Sequence, residues 1–120
     1  MKPGVIILIV ILFLSILNSC TSIKVNKVDH TGLKIGKWIS TSEDKTIICY
    51  YSKGLLNGKY LVYSKSGIQT EGKYKNGKKH GRWVFYNCEG FISAEFTYID
   101  DVARKVRLNN LPFCRQRIRN

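Results

Sequence analysis

Glu71-Gly72-Lys73-Tyr74-Lys75-Asn76-Gly77-Lys78-Lys79-His80-Gly81-Arg82-Trp83-Val84-Phe85-Tyr86 is the stretch from which the fold is read. Leading into it, Ile68, Thr70, Gly72 and Tyr74 alternate with Gln69, Glu71 and Lys73. A period of two sends successive side chains to opposite faces of a strand, whereas a helix repeats at about 3.6. Asn76-Gly77 then supplies a turn, since both residue types accept positive φ. After His80-Gly81 the chain resumes with Trp83, Val84, Phe85 and Tyr86, an aromatic and β-branched run suited to a second strand.

The same pattern recurs on both sides. Gly81-Arg82-Trp83 corresponds to Gly58-Lys59-Tyr60 and to Gly36-Lys37-Trp38, and Gly77, Gly54 and Gly32 precede them. Tyr51, Tyr74 and Tyr98 recur at intervals of 23 and 24 residues. Downstream, Ile92, Ala94, Phe96 and Tyr98 alternate with Ser93, Glu95 and Thr97. Lys65-Ser66-Gly67 and Glu89-Gly90 mark further turns. Repetition of a unit at this period signals a repeat architecture. The expected fold class is therefore all-β, an antiparallel meander of about three β-hairpin repeats over residues 29–101, with six strands.

These segments, above all Glu71–Trp83 with Phe85-Tyr86, resemble the MORN repeat in its bacterial variant form. The resemblance covers roughly residues 29–101. The first unit departs from it at Ser40–Lys45, which has neither the second aromatic nor a hairpin glycine, and the third ends in Ile99-Asp100-Asp101 without a closing glycine. The resemblance implies a meander of hairpins that serves as a binding or scaffolding module. Some bacterial members carry an antitoxin label.

The amino terminus carries a different message. Residues 5–17 are an apolar run after a short start containing Lys2. As a helix they would cover about 20 Å, short of the ~30 Å hydrocarbon core but suited to a secretory signal. Leu17-Asn18-Ser19-Cys20 resembles a bacterial lipobox, where a signal peptidase cuts before a cysteine whose sulfur has taken a diacylglyceryl group. The expected organisation is a lipoprotein signal peptide (helical) at 1–19, a linker at 20–28 behind lipidated Cys20, the repeats at 29–101, and a basic tail at 102–120. Two or three acyl chains would anchor the protein firmly in a membrane. Thr21-Ser22 carries no acidic cue, so the location expected is the cell membrane or the outer membrane, outside the cytoplasm.

Charge is uneven. Of a net +12, residues 102–120 supply +6 without an acidic residue. Arg115, Arg117 and Arg119 are the candidate contacts with an anionic surface. The tail has no stacking residue beyond Phe113, so no nucleic-acid partner is expected.

No grouping proposes an enzyme. His30 and His80 lack a nucleophile at suitable spacing, and His80 reads as a turn residue. Glu71 and Glu95 occupy equivalent repeat positions on the polar side, placed to pair with nearby lysines rather than to act as glycosidase carboxylates. Cys49, Cys88 and Cys114 form no metal-ligand motif. No cofactor or metal is expected. The meander puts Cys49 and Cys88 about 14 Å apart, too far for a disulfide, while Cys114 could reach either.

What remains is the aromatic set. Trp38, Tyr60, Trp83 and Phe85 are the candidate binding surface, because a single sheet leaves an apolar face in need of a cover. The expected function is thus a lipid-anchored, non-enzymatic module binding a protein or polymer of the cell envelope. The alternative is an antitoxin- or immunity-type protein that neutralises a toxic partner, and a remote third is an envelope enzyme.

Overall fold

The computed structural model describes residues 2–16 and 24–110. Among these residues one helix, α1 (Pro3–Ile16), is followed by nine strands: β1 (Lys27–Val28), β2 (Lys34–Thr41), β3 (Lys45–Ser52), β4 (Leu55–Ser64), β5 (Gly67–Lys75), β6 (Lys78–Lys79), β7 (Gly81–Tyr86), β8 (Ile92–Ile99) and β9 (Val102–Leu108). No helix among the described residues is long and apolar enough to cross a membrane. Cys20, Cys114, Arg115, Arg117 and Arg119 lie outside the described residues.

All pairings are antiparallel, and the sheet runs β1-β2-β3-β4-β5-β7-β8-β9, with the short β6 paired to β5. This is a meander in chain order, the low-crossing topology that short hairpin connections dictate. Its turns explain the periodic glycines. Lys53-Gly54 and Asn76-Gly77 take positive φ at both positions, the geometry whose twist matches that of the flanking strands. From each turn an amide reaches back into the preceding unit: Gly54 N–H donates to the Lys34 carbonyl at 3.0 Å and Gly77 N–H to the Leu56 carbonyl at 2.7 Å.

A third turn of the same kind was hidden. Asp100 and Asp101 have φ of 47° and 68°, and Asp101 N–H donates to the Lys79 carbonyl at 3.0 Å. Aspartate is among the few non-glycine residues that accept this region. The Asp101 carboxylate also accepts from Lys79 N–H at 2.7 Å. The turn folds the chain into β9, so the sheet passes the expected boundary at 101, and β9 runs to Leu108. The front of the expected tail is thus a strand, and Arg104, Lys105 and Arg107 belong to the sheet. At the other end β1 lies inside the expected linker. Between β2 and β3, Ser42 N–H donates to the Lys45 carbonyl at 2.8 Å, which closes a hairpin without any glycine.

The core is a seam within one layer. Among the described residues, Trp83, Val84, Gly72 and Cys49 are the buried ones. Cys49 is a free thiol, in keeping with the separation from Cys88 that the meander demanded; Cys88 is itself disulfide-bonded.

Candidate functional site

Register assigns every side chain to one of two faces. Trp38 pairs with Cys49, Cys49 with Tyr60, Tyr60 with Gly72, Trp83 with Phe96, and Phe96 with Val106. Alternation keeps that transverse row on one side, together with Tyr51, Tyr74, Phe85 and Tyr98. All four aromatics singled out in the sequence therefore share a face.

They do not share an environment. Trp83 is only 2% exposed. Its indole lies on Gly72, where an added Cβ would come within 2.2 Å of the ring, and its Nε1 donates to the Lys73 carbonyl at 3.0 Å. Tyr60, Tyr74 and Tyr98 surround it with ring centroids 5.6, 5.1 and 6.2 Å away. Such edge-on and offset contacts are favourable for aromatic quadrupoles. Trp83 is thus a core residue and not part of a contact surface, a correction to the expectation. It was misplaced because alternation names a face but not the depth on it.

Trp38 repeats the arrangement at the sheet's start. Its Nε1 is 3.2 Å from both the Lys27 and Ile35 carbonyls, its ring contacts Tyr51, and Lys34 Nζ lies 4.5 Å from its centroid. Lys79 Nζ sits 5.1 Å from Trp83 and 5.2 Å from Tyr98. Each ammonium is attracted to the negative ring faces, so two lysines cap the ladder. The open end lies elsewhere. Phe85 and Phe96 are half-buried and in edge contact, and beside them on β9 stand Val106, 50% exposed, and Leu108, 70% exposed. Alternation could have flagged Val106 and Leu108, but no glycine marks the turn that brings them there.

Burial in this ladder shifts its acids upward. Desolvation raises the pKa of the Cys49 thiol and of the Tyr51, Tyr60 and Tyr74 phenols, because each anion would be poorly hydrated beside the rings.

The reverse face is basic. Lys37 pairs with Tyr50, Lys59 with Lys73, and Arg82 with Thr97, which pairs in turn with Lys105. One level along, Ile39, Ile48, Leu61, Glu71, Val84, Glu95 and Arg107 follow one another across the strands. Arg82 pairs with Glu95, and Arg107 Nη1 is 3.8 Å from the same carboxylate. Tyr86 donates to Glu71 at 3.3 Å. Both glutamates lie on the polar side as expected, but their partners are two arginines and a tyrosine rather than lysines, because register brings Arg82 and Arg107 beside Glu95 and Tyr86 beside Glu71.

β5 and β7 pair through Thr70–Phe85 and Glu71–Val84. Beyond those pairs a cleft of about 620 Å³ opens, floored by Leu61 and Val84 and edged by Lys59, Lys73, Lys75 and Arg82. His80 also lines it; its backbone N–H donates to the Lys73 carbonyl at 2.9 Å, which makes it a turn residue, and its Nδ1 stands 3.8 Å from Asp100. Among the described residues no cluster of histidine, cysteine and acidic side chains is arranged to hold a metal ion.

Comparison with protein-family models, curated proteins and solved structures finds no match to this chain.

Proposed function

We propose that this protein is an exported lipoprotein, anchored through Cys20, that acts as a non-enzymatic binding module at the cell envelope. The anchor reading rests on the apolar run before Leu17-Asn18-Ser19-Cys20. The module reading rests on the resemblance of the glycine-aromatic units to MORN-type hairpins. The observation that carries a binding role is the end of the aromatic face: Phe85, Phe96, Val106 and Leu108 form a continuous apolar strip with no second layer over it among the described residues. An uncharged strip of this kind, rimmed by polar strand ends, suits a protein partner.

The experiment places a photo-crosslinking residue at Phe85 or Leu108 in the native chain, in cells, with and without globomycin. One discrete adduct is expected from each position, and the one from Phe85 should disappear with Leu108→Asp. Processing insensitive to globomycin and to Cys20→Ala would remove the anchor. Absence of any discrete adduct from either position would remove the binding role.

A further inference from the structure

We infer that the basic face is a track for a flexible, linear phosphodiester polymer, laid across the strands from β2 to β9 with its centre in the cleft between β5 and β7. Five cations make the track: Lys37, Lys59, Lys73, Arg82 and Lys105. The sequence pattern generates four of them, Lys37, Lys59, Lys73 and Arg82, since the residue between glycine and aromatic in each Gly-X-aromatic unit faces away from the ladder; Lys105 joins them through its pairing with Thr97. Lys59 and Lys73 stand directly opposite on neighbouring strands, where like charges repel. Among the described residues, none of Lys37, Lys59, Lys73 or Lys105 has an acidic partner. Glu71 and Glu95 are the carboxylates on this face; the first takes the Tyr86 hydroxyl and the second is covered by Arg82 and Arg107. A fold that sets lysines opposite one another, and commits its glutamates to Tyr86, Arg82 and Arg107, leaves the charge of the four lysines for an external anion.

Geometry selects the class of anion. Six strand intervals at ~4.8 Å make the track about 29 Å long. Strand-to-strand twist of roughly 20–25° turns the face by about 130° over those intervals. A planar bilayer meets only the few strands that face it at once, whereas a flexible chain can wind with the twist. Single-stranded nucleic acid is bound through a series of stacking rings beside its phosphate contacts; here the Trp83 ladder lies on the opposite side of the sheet, and the rings on the cation face include Tyr50, across from Lys37, and Tyr86, which is bonded to Glu71. A polymer whose repeating charge is a phosphodiester and whose linker is a short polyol needs no stacking. Its phosphates fit the ammonium row, and its carbon backbone can pass over Leu61 in the cleft. This inference draws on the envelope reading for the source of such a polymer, but its test does not depend on export.

The test measures binding of fluorescent synthetic glycerol-phosphate oligomers to the full chain in detergent micelles. Affinity is expected to rise with oligomer length until the chain spans the track, and log K is expected to fall linearly with log salt. Lys59→Ala with Lys73→Ala should weaken binding about thirtyfold, at roughly fivefold per lysine, with an unchanged or raised melting temperature because a repulsion is relieved. Lys65→Ala, off the track and paired with Asp44 at 3.3 Å, should leave affinity unchanged. The inference is overturned by affinity independent of length, by an equal loss in the Lys65 variant, or by equal or tighter binding of single-stranded DNA or anionic vesicles at matched phosphate. Globomycin-insensitive processing would remove the anchor and leave every one of these results standing.

Discussion

Replacing Gly72 with alanine should be among the most damaging single changes in this sheet. The added methyl would lie 2.2, 2.4 and 2.7 Å from three atoms of the Trp83 ring. Those atoms belong to a rigid bicycle held by a hydrogen bond and three aromatic neighbours, so the methyl cannot be accommodated by a rotamer change at a chain end. The indole must lift. Lifting it sacrifices the bond to the Lys73 carbonyl, worth about 1 kcal/mol, and weakens aromatic contacts at roughly 0.5–1.5 kcal/mol each. A loss of about 3–4 kcal/mol follows, against the ~5–15 kcal/mol available to a typical domain. Urea denaturation followed by tryptophan fluorescence would read it as a lower midpoint at constant slope. The decisive control is the same substitution in a Trp83→Leu background. With the ring gone, alanine should be neutral or stabilising by about 0.5–1 kcal/mol, its intrinsic advantage over glycine within a strand. If Gly72→Ala costs as much in the Trp83→Leu background as in the native chain, the packing argument is wrong.

Other outcomes follow from the same geometry. Asp101→Ala should destabilise by about 1–2 kcal/mol in thermal or urea melts, because it loses the bond from Lys79 N–H and leaves a Cβ residue at positive φ; Asp101→Gly keeps the φ and should cost less. Alkali should weaken the fold. The Cys49, Tyr51, Tyr60 and Tyr74 pKa values are raised above ordinary values of 9.0 for the thiol and 10.0 for the phenols. The folded state therefore holds protons that the unfolded state releases, and its stability declines as pH climbs past about 9; melting temperatures flat from pH 7 to 11 would contradict this. Alkylation of Cys49 at pH 8 should be much slower in the native chain than in urea, since the thiol is buried and its anion disfavoured, and equal rates would place it at the surface.

Much of the sheet was legible because its signals are local. Alternation in Ile68–Tyr74 and Ile92–Tyr98 named strands, and Lys65-Ser66-Gly67, Asn76-Gly77 and Glu89-Gly90 named turns, since glycine beside a polar residue is the usual means of reaching positive φ. The turn at Asp100-Asp101 was missed for the same reason: two aspartates reach that geometry with help from a distant amide, Lys79 N–H, which no local pattern reveals. With the turn went β9, and with β9 the open apolar strip at Val106 and Leu108. Trp38 and Trp83 stand at matching positions of the repeat, yet one is half-buried and the other buried. The difference comes from neighbours. Trp83 has strands on both sides contributing Gly72, Tyr74 and Tyr98, while Trp38 lies near the sheet's edge.

By itself the sequence determined that this chain pleats, where most of its tight turns fall, and that each repeat sets an aromatic on one side and a cation on the other. Those are consequences of a two-residue period and of glycine's backbone freedom, both properties of neighbouring residues. Only the tertiary structure decided which aromatic is core, that β9 extends the sheet past residue 101, and that Lys59 meets Lys73 across a strand pair. Such facts depend on register between segments far apart in the chain, and register is set by the packing of all the strands together.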